Sequence, residues 1–294
     1  MPEIEVRLAR PEDREAVLAF CARTWEWGDY IEYVWDEWLH DPQGGMYVAV
    51  VDGQPVGVSH FRMLTPTEVW LEGMRIDPAY RKQGLSVVLN NTMMAEAMNR
   101  GATHARLITE STNAAAIALI ERGFFRHVGS FSRYRATPVT ANAAQKYGPD
   151  LPQLATQADV DDIVDYLNIS NNLPVTGGLY YLDFTAYAIT GDVIEAKVAA
   201  QQIYLLRRWD RLDGLVIAEP GSSHYGSELS IGYIDGTTES ISLLAYFLRR
   251  QAMEMELEGI VAYVPDLIMV RDAFAGAEYE WDGKLFYTYE RGLT

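Results

Sequence analysis

Cysteine is nearly absent. Cys21 is the only one in 294 residues, which excludes an internal disulfide and a cysteine-built zinc site and makes a reducing cytoplasm the expected home. Long apolar runs are missing too, although 49% of the residues are hydrophobic. Sizeable cores are therefore expected, and membrane-spanning helices are not. The opening Met1-Pro2-Glu3-Ile4-Glu5 lacks the basic start and apolar stretch of a signal peptide. Positive charge is in short supply: 24 Lys and Arg face 41 Asp and Glu, a formal net charge of −17. Such a surface repels phosphate backbones and anionic membranes, so neither nucleic acid nor a membrane is an expected partner. It suits a cationic substrate such as an amine, and it also serves plain solubility. No metal-ligand cluster is visible.

What is present falls into two similar halves, as the length suggests. Arg10-Pro11-Glu12-Asp13 followed by Ala16, Val17, Leu18 and Phe20 reads as a helix start. Met46 to Val51 is a β-rich run, and Asp52-Gly53 turns it back into Val56-Gly57-Val58. Val69 to Ile76 is a further strand, Gly84 to Arg100 a helix stopped by Gly101, and Ala105 to Thr109 a strand. Asn113 to Glu121 then reads as a helix, and Phe131 to Arg135 as the strand closing the unit. The second half repeats this order. A helix starts at Gln157, a hairpin joins Ile203–Leu206 to Gly214–Ala218, and Leu229–Ile234 is a strand. A helix over Ser240–Glu258 and strands Ile260–Val264 and Leu285–Tyr289 follow. The landmarks Gly57/Gly214, Ile76/Ile234 and Gly101/Gly259 share an offset of 157 or 158 residues, which points to duplication. The boundaries expected are a first domain over 1–137, a Pro- and Gly-bearing linker over 138–152, and a second domain over 153–294.

The stretch that carries chemistry is VWLEGMRIDPAYRKQGLSVV, Val69 to Val88. A strand ends at Ile76, Asp77-Pro78 turns, and Arg81-Lys82-Gln83-Gly84-Leu85-Ser86 opens a helix. Unpaired N–H groups and the positive end of the helix dipole make such a start an anion site. Gly84 lets backbone approach a phosphate closely, and Arg81 and Lys82 add charge.

Here the sequence resembles the GNAT superfamily of N-acetyltransferases, whose acetyl-CoA loop reads Gln/Arg-x-x-Gly-x-Gly/Ala. The match is Arg81-x-x-Gly84-x-Ser86, with Ser86 a small departure. Asn113-x-x-Ala116-x-x-Leu119 and Gly123-Phe124 resemble the family's helix beside the pantetheine arm. The resemblance implies an α/β fold with a mixed sheet, two tandem GNAT-like domains of the acyl-CoA N-acyltransferase fold. Two parallel strands, Val69–Ile76 and Ala105–Thr109, would splay to admit the pantetheine, with Gly73 at a bulge. The backbone of Met74, Arg75 and Ile76 would meet the pantetheine, and amides from Lys82 through Gln83, Gly84, Leu85 and Ser86 to Val87 would hold the pyrophosphate, beside Arg81. Asn113 would lie near the cofactor arm or simply cap its helix.

Acetyl transfer needs a neutral amine and hence a base. Family members place an acid or histidine four or six residues before the end of the first splayed strand, which here means Glu72 or Trp70. Glu72 is the expected base, against the plainer reading of an ion pair with Arg75 or Arg106. His60 on the preceding strand is a second candidate near the substrate. The tyrosine that protonates the leaving thiolate in many members is Ile120 here, so Tyr134 is the substitute acid unless the thiolate leaves unaided.

Trp27-Gly28-Asp29-Tyr30, then Trp38-Leu39, with Leu71-Glu72-Gly73-Met74-Arg75 later, resemble the histidine N-acetyltransferase group of vertebrates and its prokaryotic relatives. Asp29 would read a cationic amine, with Trp27 and Tyr30 packed on the acceptor; a core aromatic cluster is the plainer reading. In the second half Glu239 and Ser242 stand where Arg81 and Gly84 would be. That half is expected to be degenerate, without acetyl-CoA, and open to covering the cleft, forming a homodimer or binding an effector. The leading expectation is acetyl transfer from acetyl-CoA, as cosubstrate, to a small-molecule amine such as an amino acid. A protein N-terminal or lysine acetyltransferase and a non-catalytic acyl-CoA-binding regulator are the alternatives.

Overall fold

The structure is a computed structural model that describes residues 3–24, 28–140, 151–182, 184–223 and 226–293. Most of the expected linker, and Trp27 with it, lies outside the described residues. The strands are β1 (Ile4–Leu8), β2 (Gly44–Val51), β3 (Gln54–Thr65), β4 (Glu68–Ile76), β5 (His104–Glu110), β6 (Arg126–Ala136), β7 (Gln153–Leu154), β8 (Leu179–Leu182), β9 (Thr185–Ala188), β10 (Ile203–Arg208), β11 (Arg211–Ser223), β12 (Gly226–Gly236), β13 (Gly259–Pro265) and β14 (Glu280–Gly292). The helices are α1 (Arg14–Cys21), α2 (Ile31–Leu39), α3 (Leu85–Asn99), α4 (Ala114–Arg122), α5 (Val160–Asn168), α6 (Gly191–Ala199), α7 (Thr238–Glu254) and α8 (Ile268–Gly276).

These elements form two compact units. The first takes residues 1–107, 119–126 and 290–294; the second takes 108–118 and 127–289. In the first, β1 to β4 pair antiparallel in sequence order, and β5 adds in parallel to β4. The β2–β3 hairpin turns at Asp52 and Gly53, both at positive φ (48° and 83°), the conformation a tight two-residue hairpin requires. Residues of β2 are buried along its whole length. Val17, Cys21, Ile31, Trp35 and Trp38 from α1 and α2 pack against Met46, Val48, Val50 and Val58. Burial pushes the Cys21 thiol up to about 12, so it is an inert core residue rather than a nucleophile.

The second unit repeats the plan. Strands β10, β11 and β12 pair antiparallel, α7 follows, and β13 returns parallel to β12. The strand over Phe131–Arg135 does not close the first unit, as the sequence suggested. It is part of β6, which pairs antiparallel with β13 from Ile260↔Ala136 to Pro265↔Phe131. Residues from Glu290 onward belong instead to the first unit. Glu290 accepts from Arg106 Nε (2.8 Å) and Arg126 Nη2 (3.1 Å), Arg291 donates to the Gly123 carbonyl (3.0 Å), and the Leu293 amide donates to the Thr103 carbonyl (2.8 Å). These contacts link positions more than 160 residues apart, so no local pattern announces them.

Candidate acetyl-transfer site

The site is built on β4. Its parallel pairing with β5 covers Glu68↔His104, Val69↔Ala105 and Trp70↔Arg106 and stops there, although β4 runs on to Ile76. On its other edge β4 pairs with β3, and the register slips between His60↔Glu72 and Val58↔Arg75. Gly73 stands in that slip at φ +69°, and a Cβ there would lie 2.4 Å from the Trp38 ring. A bulge of this kind re-aims neighbouring side chains, and here the neighbour is Glu72.

Glu72 Oε1 lies 2.9 Å from His60 Nδ1. The Glu72 side chain is 23% exposed, whereas His60 is fully buried. No hydrogen bond to Glu72 Oε2 occurs among the described residues. The other face of the imidazole geometry belongs to Asp41, whose Oδ2 is 3.3 Å from His60 Nε2. Asp41 also accepts from Arg62 Nε (2.7 Å) and from the Gln43 amide (2.9 Å). Burial pushes the Asp41 carboxyl up, but the hydrogen bonds from Arg62 and Gln43 outweigh it and hold the group below its ordinary value. Trp38 lies flat on His60, centroids 4.6 Å apart and planes 7° apart. Asp41 and Arg62 were not legible beforehand: Asp41-Pro42 reads as an ordinary turn after a helix.

Asp29 and Tyr30 sit nearby in the same unit, in a different role from the one expected. Arg75 donates to Asp29 (Nε–Oδ2 2.7 Å), and the Ile31 amide donates to Asp29 Oδ1 (3.2 Å). With its side chain 2% exposed, Asp29 is spent on a buried ion pair and a helix start and is not free to read a cationic amine. The Arg75 guanidinium lies 5.3 Å from the Tyr30 ring centroid. Burial pushes the Tyr30 phenol up to about 12.

Beyond β4, Asp77 accepts from the Ala79 amide (2.8 Å) and turns the chain. Lys82 and Gly84 both take positive φ (63° and 81°). Gly84 precedes α3, and a Cβ on it would meet nothing within 4 Å, so the loop is open to a ligand. The first intramolecular bonds of α3 run from Val87 and Val88 to the Gly84 carbonyl. Among the described residues, the amides of Lys82, Gln83, Gly84, Leu85 and Ser86 have no intramolecular acceptor. Unsatisfied amides at the positive end of a 15-residue helix form an anion cradle. Arg81 and Lys82 are exposed beside it. Arg81 Nε donates to the Ile76 carbonyl (3.2 Å), and Arg75 Nη1 donates to that of Met74 (3.0 Å). The residues present thus fit the diphosphate of a coenzyme A thioester.

Two expected residues belong to the second unit. Asn113 accepts from the Ala116 amide (3.1 Å), as a helix cap does. Tyr134 is buried in the core of the second unit against Phe274, ring centroids 4.9 Å apart, and burial pushes its phenol up to about 12.

The second unit has the scaffold without the cradle. The α7 start is closed by its own cap, with Thr237 accepting from the Ser240 amide (3.2 Å), and Glu239 is paired with Arg208 (2.8 Å). Its bulge falls at Gly232, between Ile217↔Tyr233 and Ala218↔Ile231. The Tyr181 carbonyl of β8 lies so near that a Cβ on Gly232 would be 2.2 Å away.

A splayed parallel pair, a bulge bearing a carboxylate and an open helix start with unsatisfied amides are features of an acyl-CoA N-acyltransferase fold. Residues 14–124 match the profile of the Acetyltransferase (GNAT) family. Solved structures agree over the whole chain at the level of fold. An assigned acetyltransferase from Thermoplasma acidophilum is 16% identical, covers 98% of this chain and 99% of its own, and gives a TM-score of 0.58. A GCN5-related N-acetyltransferase from Sphaerobacter thermophilus is 11% identical, with 99% and 96% coverage and a TM-score of 0.62. A glucosamine N-acetyltransferase region of a fungal β-N-acetylglucosaminidase is 11% identical, covers 99% of this chain and 38% of its own, and gives 0.64. No curated protein matches the chain. No described helix is long and apolar enough to cross a membrane. The described residues hold no metal-binding group of three or more His, Cys, Asp or Glu.

Proposed function

We propose that the first unit transfers an acetyl group from acetyl-CoA directly to a primary amine of a small molecule, with Glu72 as general base. The observation that carries this reading is Glu72 itself. One carboxylate oxygen is fixed by a buried imidazole and the other is unengaged, on the strand that leads into the anion cradle. Bound acetyl-CoA would supply a thioester carbonyl carbon for attack; as the C–N bond forms the C–S bond would break, and the thiolate would leave unaided and take up the second proton lost by the nitrogen. The protein's own groups do the rest. The amides of Lys82–Ser86, with Arg81 and Lys82, hold the diphosphate. The edge of β4 past Trp70, free of β5, orients the arm. Glu72 Oε2 takes a proton from the acceptor ammonium and so exposes the nitrogen lone pair. A carboxylate mostly withdrawn from solvent and held by a buried imidazole suits a small acceptor better than a long polypeptide. The second unit serves as a scaffold without acetyl-CoA, since its helix start is self-capped.

The test is thiol release from acetyl-CoA against a panel of free amino acids, other amino sugars and amines, polyamines and peptides. Turnover confined to a small amine supports the reading. Turnover confined to peptides refutes the substrate class, and no turnover despite tight acetyl-CoA binding refutes the enzyme.

A further inference from the structure

Fully buried histidines with both ring nitrogens on carboxylates are costly to build, and His60 is one. Nδ1 meets Glu72 from β4, and Nε2 meets Asp41 from the turn between α2 and β2. The 3.3 Å approach to Asp41 lacks hydrogen-bond alignment, so Nε2 has an ionic neighbour but no directed partner. The ring has little freedom to turn away. Trp38 covers its face. A Cβ on Gly44 would lie 2.7 Å from Nε2 and 2.6 Å from Asp41 Oδ2, so these atoms fill the space over that glycine. Asp41 is fixed in turn by Arg62, which also donates to Glu37 of α2 (2.6 Å). The charged groups around the ring are therefore Glu72 on β4, Asp41 on the turn, Arg62 on β3 and Glu37 on α2; Tyr30 meets Trp38 edge-on, with the Arg75–Asp29 pair beside it.

We propose that Asp41 and His60 are positioning residues for Glu72: a doubly protonated imidazole, held between two carboxylates, clamps Glu72 Oε1 and leaves Oε2 as the atom that receives the acceptor's proton. A ring with one proton satisfies one carboxylate and turns a lone pair on the other. A ring with both protons donates to Glu72 and attracts Asp41. In this proton transfer one acceptor N–H bond breaks and one O–H bond forms, on Glu72 Oε2. The proposal rests on Glu72 as the base for its kinetic consequence and on the fold alone for its protonation state.

The experiment has two arms on the full chain. Nitrogen-15 NMR of the histidine rings reads His60 without any turnover. Both nitrogens protonated at pH 7, with the signal altered in Asp41→Asn and in Glu72→Gln, is the expected result. A neutral ring with one tautomer, indifferent to Asp41→Asn, overturns the proposal. In the second arm Asp41→Asn should lower kcat about ten- to a hundredfold with little change in KM, and the shape of the pH–rate profile should change. Activity lost only in proportion to unfolded protein, with the profile shape kept, also overturns it. His60→Asn, which keeps a donor near Nδ1 but cannot titrate, should recover part of the kcat lost in His60→Ala. If the wild type turns over no amine, the acetyltransferase reading fails, and the NMR arm still decides the clamp.

Discussion

His60 Nδ1 stands 2.9 Å from Glu72 Oε1, joining β3 to β4 at the residue pair just before the register slips. The pair owes its position to Gly73, whose missing side chain admits Trp38 to the sheet. Replacing Gly73 by alanine would force a Cβ into that ring at φ +69°. The expected loss is about 2–4 kcal/mol from strain and overpacking combined. Urea unfolding of Gly73→Ala measures it, and an unchanged midpoint would refute the close packing.

Asp29 separates a structural from a substrate-binding role. Its carboxylate neutralises buried Arg75, so Asp29→Ala should destabilise the fold by about 3–5 kcal/mol by stranding that charge. A substrate contact would instead raise KM for the amine and leave the melting temperature alone. Thermal unfolding and KM measured on the same variant distinguish the two.

Much of the first unit was legible in the sequence, because β2, β3, β4, α3 and β5 carry strong periodicity and sharp turn residues. The Gly84 turn into α3 was legible for the same reason: a glycine before a helix, after a strand and a turn, has few structural meanings. The helix α2 was not, since its aromatic residues disguise the amphipathic pattern, and neither was the short edge strand β1. The placement of β6 beside β13 could not be read, because strand partners are chosen by tertiary complementarity rather than by local propensity. Asp29 misled for a related reason. An acidic residue among aromatics looks like a cation reader until its partner, Arg75, is found 46 residues on.

Acetyl-CoA should bind once per chain. Arg81→Glu puts a negative charge beside the free amides of Lys82–Ser86 and should weaken binding by about tenfold or more. Glu239→Arg, at the self-capped start of α7, should leave both affinity and stoichiometry unchanged. Isothermal titration calorimetry reads both, and two sites per chain would refute the degenerate reading of the second unit.

Glu290 ties the end of the chain to the first unit and makes it acid-sensitive. Burial raises its pKa, but hydrogen bonds from Arg126 and Arg106 outweigh this and hold it below the ordinary 4.5. A depressed carboxylate contributes stability above its unfolded pKa and loses it as pH falls through the folded one. The stability gap between wild type and Glu290→Gln should therefore be full above pH 4.5 and shrink below it. Denaturant titrations between pH 7 and pH 3 check this, and a gap independent of pH would contradict it.

The most direct test of Glu72 as the base is to measure kcat and acetyl-CoA affinity together in Glu72→Gln, which keeps the shape and the contact to His60. The predicted result is a loss of about a hundredfold or more in kcat with acetyl-CoA affinity unchanged. Full turnover in Glu72→Gln would contradict it, and the proton would have to leave the amine by another route.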